Sequence, residues 1–383
     1  MSNSSPVPPG PSPAGPLQPT GRGGASDLAW PHRDTEPTAL SALGWGPDFA
    51  AAFDAQDVEG AFPARVARVD RQALTVLSGS GELRVTVAPE IAHGRDPVLA
   101  PTVGDWVVVK LGSVVGVLAR RSAIVRGSAG TGDKAQVLAA NVDKVFVVCS
   151  LEGRFRPRRL ERLLVLAWQS GAAPVVVLTK ADIAEDLASA LEAASRLIGT
   201  GEVVAVSSLT GAGMDEVCGF LEPGVTVALL GPSGAGKSTL ANRLGLGTLQ
   251  LATGEVRGDG KGRHTTTARE LVCLPGGAML IDTPGLRALA LFEAEDAISI
   301  AFSEVEELAA GCRFADCAHE SEPGCAIKQA IAEGTLDRQR FASFDKLRRE
   351  QRHLAARVDP RERAEARKRY KALGKLARQS QKP

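Results

Sequence analysis

The chain has 383 residues, and its 45 Lys and Arg nearly balance 44 Asp and Glu, so net charge indicates no class of partner. That length is too great for one compact core, and a 44% hydrophobic content suffices for two or three domains. Long apolar runs and a basic-then-apolar leader are both absent from the sequence. We therefore expect a cytoplasmic protein without a membrane segment, whose cysteines are reduced.

The N-terminal third of the sequence predicts a disordered leader followed by a small β-barrel. Residues 1–38 are rich in Pro, Gly and Ser and carry too little apolar surface to fold. From Phe62 to Leu118, five short β-branched segments alternate with Gly, Asp or Ser turns. We predict an antiparallel barrel over 60–122, with an OB-fold favoured and an SH3-like barrel as the alternative.

The central part, residues 130–291, has the pattern of an α/β domain. The segments KVFVVCS, APVVVLTK, GEVVAVSS, VTVALLG and GAMLIDTPG are continuous apolar runs that end at polar turns, with helical stretches between them. Strands buried on both faces and alternating with helices predict a parallel sheet. Cys149, Cys218 and Cys273 lie in these apolar elements and are expected in the core.

A phosphate-binding loop follows the strand VTVALL and opens a helix, which is the context that the G-x-x-x-x-G-K-[ST] motif requires. Lys237 is expected to reach the β- and γ-phosphates of a nucleotide, and Ser238 to offer its hydroxyl to Mg²⁺. The backbone amides of the loop and the helix N-terminus would hold the phosphates. The candidate residues are Gly231, Pro232, Ser233, Gly234, Ala235, Gly236, Lys237, Ser238 and Thr239.

Two further segments are predicted to sense the γ-phosphate. Asp282 opens DTPG at a strand end, where it would hold Mg²⁺ through water, and the Gly285 amide would face the γ-phosphate. The polar segment 258–271 carries three consecutive threonines, one of which should close on Mg²⁺. The spacing does not show which of Thr265, Thr266 and Thr267 binds Mg²⁺, and we take Thr266, the middle one, as the candidate. The alternative is that this segment is a surface loop without a role in nucleotide binding.

The segment LTKAD at 178–182 predicts a guanine reader, formed by Thr179, Lys180, Ala181 and Asp182. The Asp182 carboxylate can accept hydrogen bonds from the N1–H and 2-amino group of guanine, a pair that adenine lacks. Thr179 can tie this segment to the phosphate loop, and the stem of Lys180 can lie over the base. Ser207 and Ser208 end the next strand, where a backbone contact to guanine O6 is expected.

The order of these motifs is unusual, because the base reader precedes the phosphate loop. A GTPase sheet whose chain has been cut and rejoined elsewhere would give this order, and circular permutation is tolerated because native termini lie at the surface. The permutation puts DTPG near the exit of the G domain. We therefore expect the segment that follows DTPG to move when the γ-phosphate is bound or lost.

The C-terminal part predicts a helical zinc-binding domain over 292–355. A helix is expected over 295–311, followed by Cys312-x4-Cys317-x-His319-x5-Cys325. Three thiols and one imidazole suit a tetrahedral structural Zn²⁺, one per chain; chance clustering of cysteines is the alternative. The chain ends in a basic tail, 356–383, whose charge suits an RNA backbone, although a solvated helix is also possible.

These motifs in this order resemble the bacterial ribosome small-subunit-dependent GTPases, a circularly permuted family that acts late in 30S maturation. RRS at 120–122, AANVDKV at 139–145, TKAD, GPSGAGKST, GRHTTT, DTPG and the Cys–His loop carry the resemblance. It implies an OB-fold, a permuted P-loop GTPase domain and a zinc domain that contact 16S rRNA on the 30S subunit. It also implies slow hydrolysis of GTP that the subunit stimulates, by a protein expected to be a monomer.

The sequence lacks the glutamine that orients the attacking water in many GTPases. Many GTPases place Gln after the DTPG-type glycine to orient water, whereas this chain has Leu286. His264, beside the threonines, is the candidate to orient water; a surface histidine is the alternative. Two functions stay open: an enzyme released from the ribosome by turnover, and a GTP-gated RNA-binding module with incidental hydrolysis. Asp182 argues against a third, a generic P-loop ATPase.

Overall fold

The computed structural model describes residues 40–92, 100–126, 136–245, 269–282 and 294–357. The predicted leader, nearly all of the basic tail and the predicted site residues His264, Thr266 and Gly285 lie outside these ranges. Within the described ranges, no helix has the length and apolar content that a membrane crossing requires.

The N-terminal domain is a closed five-stranded barrel. Its strands follow one another in the order β1-β2-β3-β5-β4, and β1 also pairs with β4, which closes the sheet. The β3–β5 pair is parallel and the other pairs are antiparallel, which is the topology of an OB-fold, so that prediction is confirmed. The elements are β1 (Phe62–Val69), β2 (Leu74–Ser78), β3 (Gly81–Val87), α2 (Pro89–Ala92), β4 (Trp106–Lys110) and β5 (Ser113–Val117).

A short helix that the sequence pattern did not reveal packs against the barrel. It is α1 (Pro47–Asp54), and Phe49 on this helix lies 5.8 Å from the ring of buried Trp106. Arg121 pairs with Asp48, and its guanidinium lies 4.2 Å from the centre of the Phe49 ring. Its neighbour Arg120 forms a buried ion pair with Asp105 at 2.6 Å. The arginines of the RRS segment therefore hold this part of the protein together.

The central domain contains the predicted parallel sheet. Five strands run in the order β10-β9-β8-β11-β13, and each pairs in parallel with its neighbour. They are β8 (Lys144–Ser150), β9 (Ala173–Thr179), β10 (Glu202–Val206), β11 (Thr226–Leu230) and β13 (Met279–Asp282). The helices between them are α3 (Pro157–Gln169), α4 (Leu187–Ile198), α5 (Met214–Gly219) and α6 (Lys237–Leu244). A separate hairpin, β6 (Ala123–Arg126) and β7 (Gln136–Ala140), precedes the sheet.

One antiparallel strand, β12 (Glu270–Cys273), was not predicted. It pairs with β13 on one side and with β1 of the barrel on the other, so eleven strands form one continuous sheet. The β1 contact is confined to Arg68 opposite Glu270. The far end of β12 therefore has no β1 neighbour. The prediction that Cys273 lies in the core is wrong for this reason, since this residue is exposed whereas Cys149 and Cys218 are buried.

The C-terminal domain is helical, as the sequence predicts, but its first helix is divided. A single helix was expected over 295–311, whereas Phe302, with φ −130° and ψ 38°, separates α7 (Glu295–Ala301) from α8 (Ser303–Ala310). The Phe302 ring is fully buried, and the guanidinium of Arg340 lies 3.9 Å from its centre. The interruption between α7 and α8 directs the Phe302 side chain into the core. The remaining helices are α9 (Ala326–Glu333) and α10 (Arg338–Arg357).

Candidate nucleotide site and cysteine–histidine cluster

The predicted nucleotide-binding segments meet at one edge of the parallel sheet. Thr179 ends β9 and lies in register with Val206, the last residue of β10. Leu230 ends β11 and Asp282 ends β13, and these two strands are also paired in parallel. Because the carboxyl ends of parallel strands share an edge, the base reader, its support, the phosphate loop and Asp282 lie side by side there.

The phosphate loop has the backbone shape that phosphate binding requires. It connects β11 to α6 through residues 231–236, and Gly234 and Gly236 have φ of +75° and +85°. A Cβ on Gly231 would lie 2.3 Å from the Val148 carbonyl oxygen, so only glycine fits there. The loop therefore ends at the N-terminus of α6, where backbone N–H groups favour an anion.

The polar side chains of the loop surround this concave backbone. The Lys237 ammonium donates hydrogen bonds to the carbonyl oxygens of Gly231 at 2.8 Å and Pro232 at 2.7 Å, so it lies across the loop. Ser238 is half-buried and Thr239 exposed in the first turn of α6, and Ser233 is exposed on the loop. Lysine, hydroxyl and amide donors thus converge on the space beside the helix N-terminus.

A buried threonine joins the base reader to the phosphate loop. Thr179 has only 2% of its surface exposed, and its hydroxyl donates a hydrogen bond to the Ala235 carbonyl at 2.6 Å. These residues belong to motifs separated by 56 positions in the chain. The contact places TKAD beside the phosphate loop despite the reversed order of the two motifs.

The rest of the reader turns outward at the sheet edge. Lys180 adopts the left-handed conformation, with φ 60°, and forms an ion pair with Glu152 in the loop after β8. A short 3₁₀ helix, Ala181–Ile183, follows, with Ala181 half-buried and Asp182 exposed. This leaves the Asp182 carboxylate accessible to a ligand at the edge.

The base support is a tight turn at the end of β10. Ser207 is buried, its N–H donates to the Ala212 carbonyl at 2.9 Å, and its hydroxyl accepts from the Thr210 N–H at 3.1 Å. Gly213 closes the turn so tightly that a Cβ there would lie 2.0 Å from the Ala205 carbonyl oxygen. Ser208 is half-buried beside this fixed backbone.

The residues predicted to contact the γ-phosphate and the attacking water are mostly outside the described ranges. The backbone of Asp282 is placed at the end of β13, next to the strand that leads into the phosphate loop. His264, Thr266 and Gly285 belong to segments 246–268 and 283–293, which lie outside the described residues. Their roles stay predictions from the sequence.

The four predicted metal ligands come together in the C-terminal domain. The Nδ1 atom of His319 lies 3.6 Å from the Cys312 sulfur and 3.5 Å from the Cys325 sulfur, and these sulfurs are 4.0 Å apart. All four ligand atoms, including the Cys317 sulfur, lie within 4.8 Å of one another. Ordinary Zn–S and Zn–N bonds in a tetrahedron require ligand separations of about 3.5 to 3.8 Å. The two His319 separations lie in this range and the Cys312–Cys325 separation is slightly longer, so the cluster is compatible with a zinc ion.

The surroundings of the cluster also suit a metal site. Burial works against the thiolate of Cys312, but hydrogen bonds from the backbone of Ala326 and Ile327, at the start of α9, outweigh it and lower the pKa of this thiol. The Phe341 ring packs edge-on against the His319 imidazole, with 5.8 Å between ring centres. Burial and the contacts with Cys325 and Cys312 raise the pKa of the Cys317 thiol to about 11. The fixed imidazole and the one lowered thiol pKa are the features that favour metal binding.

The C-terminal domain is attached to the G domain through α3. Arg162 on α3 forms two hydrogen bonds with the Glu350 carboxylate on α10, at 2.6 and 2.8 Å. This bidentate contact lowers the pKa of Glu350. Arg340 bridges the same helices and also donates to Glu304 of α8 at 2.7 Å. Sequence reasoning missed these contacts because the paired residues lie far apart in the chain.

A P-loop domain whose base reader precedes its phosphate loop, preceded by an OB-fold and followed by a Cys₃His helical domain, defines a circularly permuted GTPase. Two solved structures share this fold. The crystal structure of YjeQ from Thermotoga maritima superposes with a TM-score of 0.57 at 24% identity, covering 75% of this chain and 97% of that one. YloQ, described as a circularly permuted GTPase, gives 0.54 at 22% identity, with 79% and 97% covered.

The sequence comparisons are more specific. The RsgA GTPase family model matches residues 117–292. The small ribosomal subunit biogenesis GTPase RsgA of Opitutus terrae is 48% identical over 338 residues, which cover 84% of this chain and 92% of that protein. The protein of the same name from Streptomyces coelicolor is 46% identical over 356 residues, covering 90% and 96%. The chain belongs to the RsgA GTPase family.

Proposed function

We propose that this protein is a GTP hydrolase that assists maturation of the small ribosomal subunit. It binds GTP with Mg²⁺, docks on 16S rRNA of the 30S subunit, and hydrolyses GTP to GDP and phosphate, slowly alone and faster on the subunit. The observation that carries the proposal is the hydrogen bond from Thr179 to Ala235, which makes a guanine reader and a phosphate loop one site. The names of the relatives supply the ribosomal partner.

The residues at the carboxyl edge of the sheet would each contact a different part of the nucleotide. The exposed carboxylate of Asp182 pairs with the guanine N1–H and 2-amino group, while the backbone beside Ser207 and Ser208 contacts O6. Lys237 exchanges its loop carbonyl partners for the β- and γ-phosphates. Ser238 and Asp282 hold Mg²⁺, which neutralises charge on the phosphates when it is bound.

Hydrolysis depends on the partner. Leu286 cannot hydrogen-bond to water, so the free protein lacks a common water-orienting group. On the 30S subunit, His264 would orient the attacking water and Thr266 would offer its hydroxyl to Mg²⁺. A catalytic arrangement completed by a partner can raise the rate by about 10³ or more, as arginine fingers do in other GTPases.

The flanking domains place the enzyme on RNA. We assign 60–122 to the OB-fold, 130–291 to the G domain and 292–355 to the zinc domain, with the basic tail 356–383 beyond it. Cys312, Cys317, His319 and Cys325 hold one structural Zn²⁺, whose binding stabilises a polar loop with little core of its own. The protein acts as a cytoplasmic monomer.

Co-sedimentation with purified ribosomal subunits tests the proposal. The protein loaded with a non-hydrolysable GTP analogue should pellet with 30S and not with 50S subunits. With GDP it should stay mostly in the supernatant, because the two nucleotides differ only at the γ-phosphate that Gly285 and the threonine segment are expected to sense. Equal pelleting with both subunits, or none with either, would overturn the assignment of the partner.

A further inference from the structure

Four arginines surround the loop that leads from β8 into α3. Arg154, Arg156, Arg158 and Arg159 lie within six consecutive residues, and all four are exposed. None of their side chains makes a hydrogen bond or ion pair with the residues that the structure describes. We call this cluster the arginine surface. Four positive charges so close together repel one another, and within the described part of the chain no ion pair offsets that repulsion.

The acidic residues nearest in sequence are engaged elsewhere. Glu152 pairs with Lys180 of the base reader, and Glu161 pairs with Arg340 of the C-terminal domain at 3.1 Å. Two basic residues on α10 differ in this respect, since Arg349 pairs with Asp345 and Arg348 lies 3.9 Å from Glu306. Among the residues that the structure describes, the arginine surface is therefore a patch of positive charge without ion-pair partners.

The placement of these arginines opposes helix stability. Arg156 is the N-cap of α3 and makes no side-chain capping bond, and the first turn contains no acidic residue. Positive charges at this end interact unfavourably with the helix dipole. By contrast, the N-cap of α4 is Asp186, whose carboxylate accepts a hydrogen bond from the Ser189 N–H at 3.0 Å. A charge pattern kept against local stability is typical of a binding surface.

The loop is nevertheless held in one shape. The Phe155 ring is half-buried and packs against the core, and Pro157 at the start of α3 fixes the backbone. At the other end, the Leu151 N–H donates to the Thr179 carbonyl at 2.9 Å, and this places the loop beside the base reader. The arginines therefore project from a fixed scaffold at the guanine side of the nucleotide edge.

We propose that the arginine surface binds the phosphate backbone of RNA next to the guanine reader. This rests on the proposed function, because it locates on the G domain a contact to the same ribosomal RNA. Guanidinium groups bind phosphate through paired hydrogen bonds, and RNA supplies many phosphates in a row. A protein partner fits less well, since Phe155 points inward and the surface offers no apolar anchor of the kind that protein interfaces use.

The test uses the full chain with all four arginines changed, R154Q/R156Q/R158Q/R159Q, and titrates it against purified 30S subunits and naked 16S rRNA at several salt concentrations. Each lost phosphate contact should lower the slope of log affinity against log salt by about 0.7 to 0.9. We expect a slope smaller by about three and an affinity at least ten-fold weaker at moderate salt. The thermal midpoint should stay unchanged or rise, because charges unfavourable to α3 are removed.

A matched control separates this surface from net charge. R196Q removes one exposed arginine from α4, where its partner is Glu192, and R158Q removes one from α3. R158Q should weaken RNA binding and R196Q should not. If the wild type binds 30S subunits and the four-fold variant matches it in affinity and slope, the inference fails while the proposed function stands.

Two other outcomes also decide the matter. Weaker binding to 30S subunits with an unchanged salt slope and unchanged binding to naked 16S rRNA would show that the surface contacts a ribosomal protein, and would overturn the RNA assignment. A wild type that binds neither 30S subunits nor 16S rRNA would contradict the proposed function and this inference together.

Discussion

The guanidinium of Arg340 lies 3.1 Å from the carboxylate of Glu161, although the two residues are separated by 179 positions in the chain. Glu161 is almost fully buried on α3 of the G domain, and Arg340 lies in the first turn of the long helix α10 of the C-terminal domain. Arg340 also donates to the Ala301 carbonyl, at the end of α7. The long helix of the C-terminal domain is thus attached both to the G domain and to the helix that follows the DTPG segment.

Removing this contact should loosen the C-terminal domain. Arg340→Met keeps an apolar stem over Phe302 but leaves the buried Glu161 charge unpaired, which costs about 3–5 kcal/mol when a buried ion pair is broken. Hydrogen exchange of α10 amides should accelerate accordingly. Arg348→Met is the control, because exposed pairs such as Arg348–Glu306 contribute about 0–1 kcal/mol. Equal exchange in both variants would show that Arg340 does not anchor the domain.

The hydrogen bond from Thr179 of the base reader to Ala235 of the phosphate loop gives a second prediction. Thr179→Val keeps the shape of the side chain but removes the donor to Ala235, leaving a buried carbonyl unsatisfied at a cost of about 1–3 kcal/mol. Affinity for both GTP and GDP should fall by roughly five-fold or more, since the reader and loop are no longer held together. Fluorescent-nucleotide titration measures this. Thr179→Ser retains the hydroxyl and should bind as the wild type does; an equally weak serine variant would contradict the explanation.

Base specificity should depend on Asp182. Asp182→Asn replaces an acceptor by an amide that cannot pair with the guanine 2-amino group but matches the 2-oxo group of xanthine. Competition titrations should show weaker binding of GTP and stronger binding of XTP, with the fold unchanged because Asp182 is exposed. Wild-type protein that binds ATP as tightly as GTP would remove the basis for assigning this residue to the base.

Metal content tests the cysteine–histidine cluster. Protein purified without added metal should contain one zinc per chain, and Cys317→Ser should lose it and unfold the C-terminal domain while nucleotide binding persists, because the phosphate loop belongs to a separate core. Cys273→Ser is the matched control, since this exposed cysteine lies outside the cluster. Elemental analysis and circular dichroism give the answer. Metal-free protein with an intact C-terminal domain would refute the zinc assignment.

The sequence predicted the structure best where a local pattern of residues is compatible with one kind of element or site. Continuous apolar runs predicted the parallel strands, because a strand that is buried on both faces is apolar at every position and does not alternate with polar residues. Alternating β-branched segments predicted the barrel. The cysteine spacing predicted a cluster that the folded chain does bring together, since neighbouring ligands need little help from the rest of the fold.

Long-range packing could not be predicted in the same way. Strand β12 is only four residues long, and what makes it a strand is the pairing of Glu270 with Arg68 of the barrel and with Asp282. The break at Phe302 depends on a core position beneath Arg340, which no local pattern encodes. That Arg158 and Arg159 have no ion-pair partner among the described residues likewise becomes visible only once the partners of nearby acids are known.

Steady-state GTP hydrolysis with and without purified 30S subunits is the decisive measurement for the proposal that the small ribosomal subunit stimulates GTP turnover by this protein. At moderate salt the protein alone should turn over slowly, because Leu286 cannot orient water, and 30S subunits should accelerate it by about 10-fold or more. His264→Ala should lower the stimulated rate more than it lowers GTP affinity, since water orientation matters only in the transition state. Equal rates with and without 30S subunits, or stimulation by 50S subunits alone, would contradict the account.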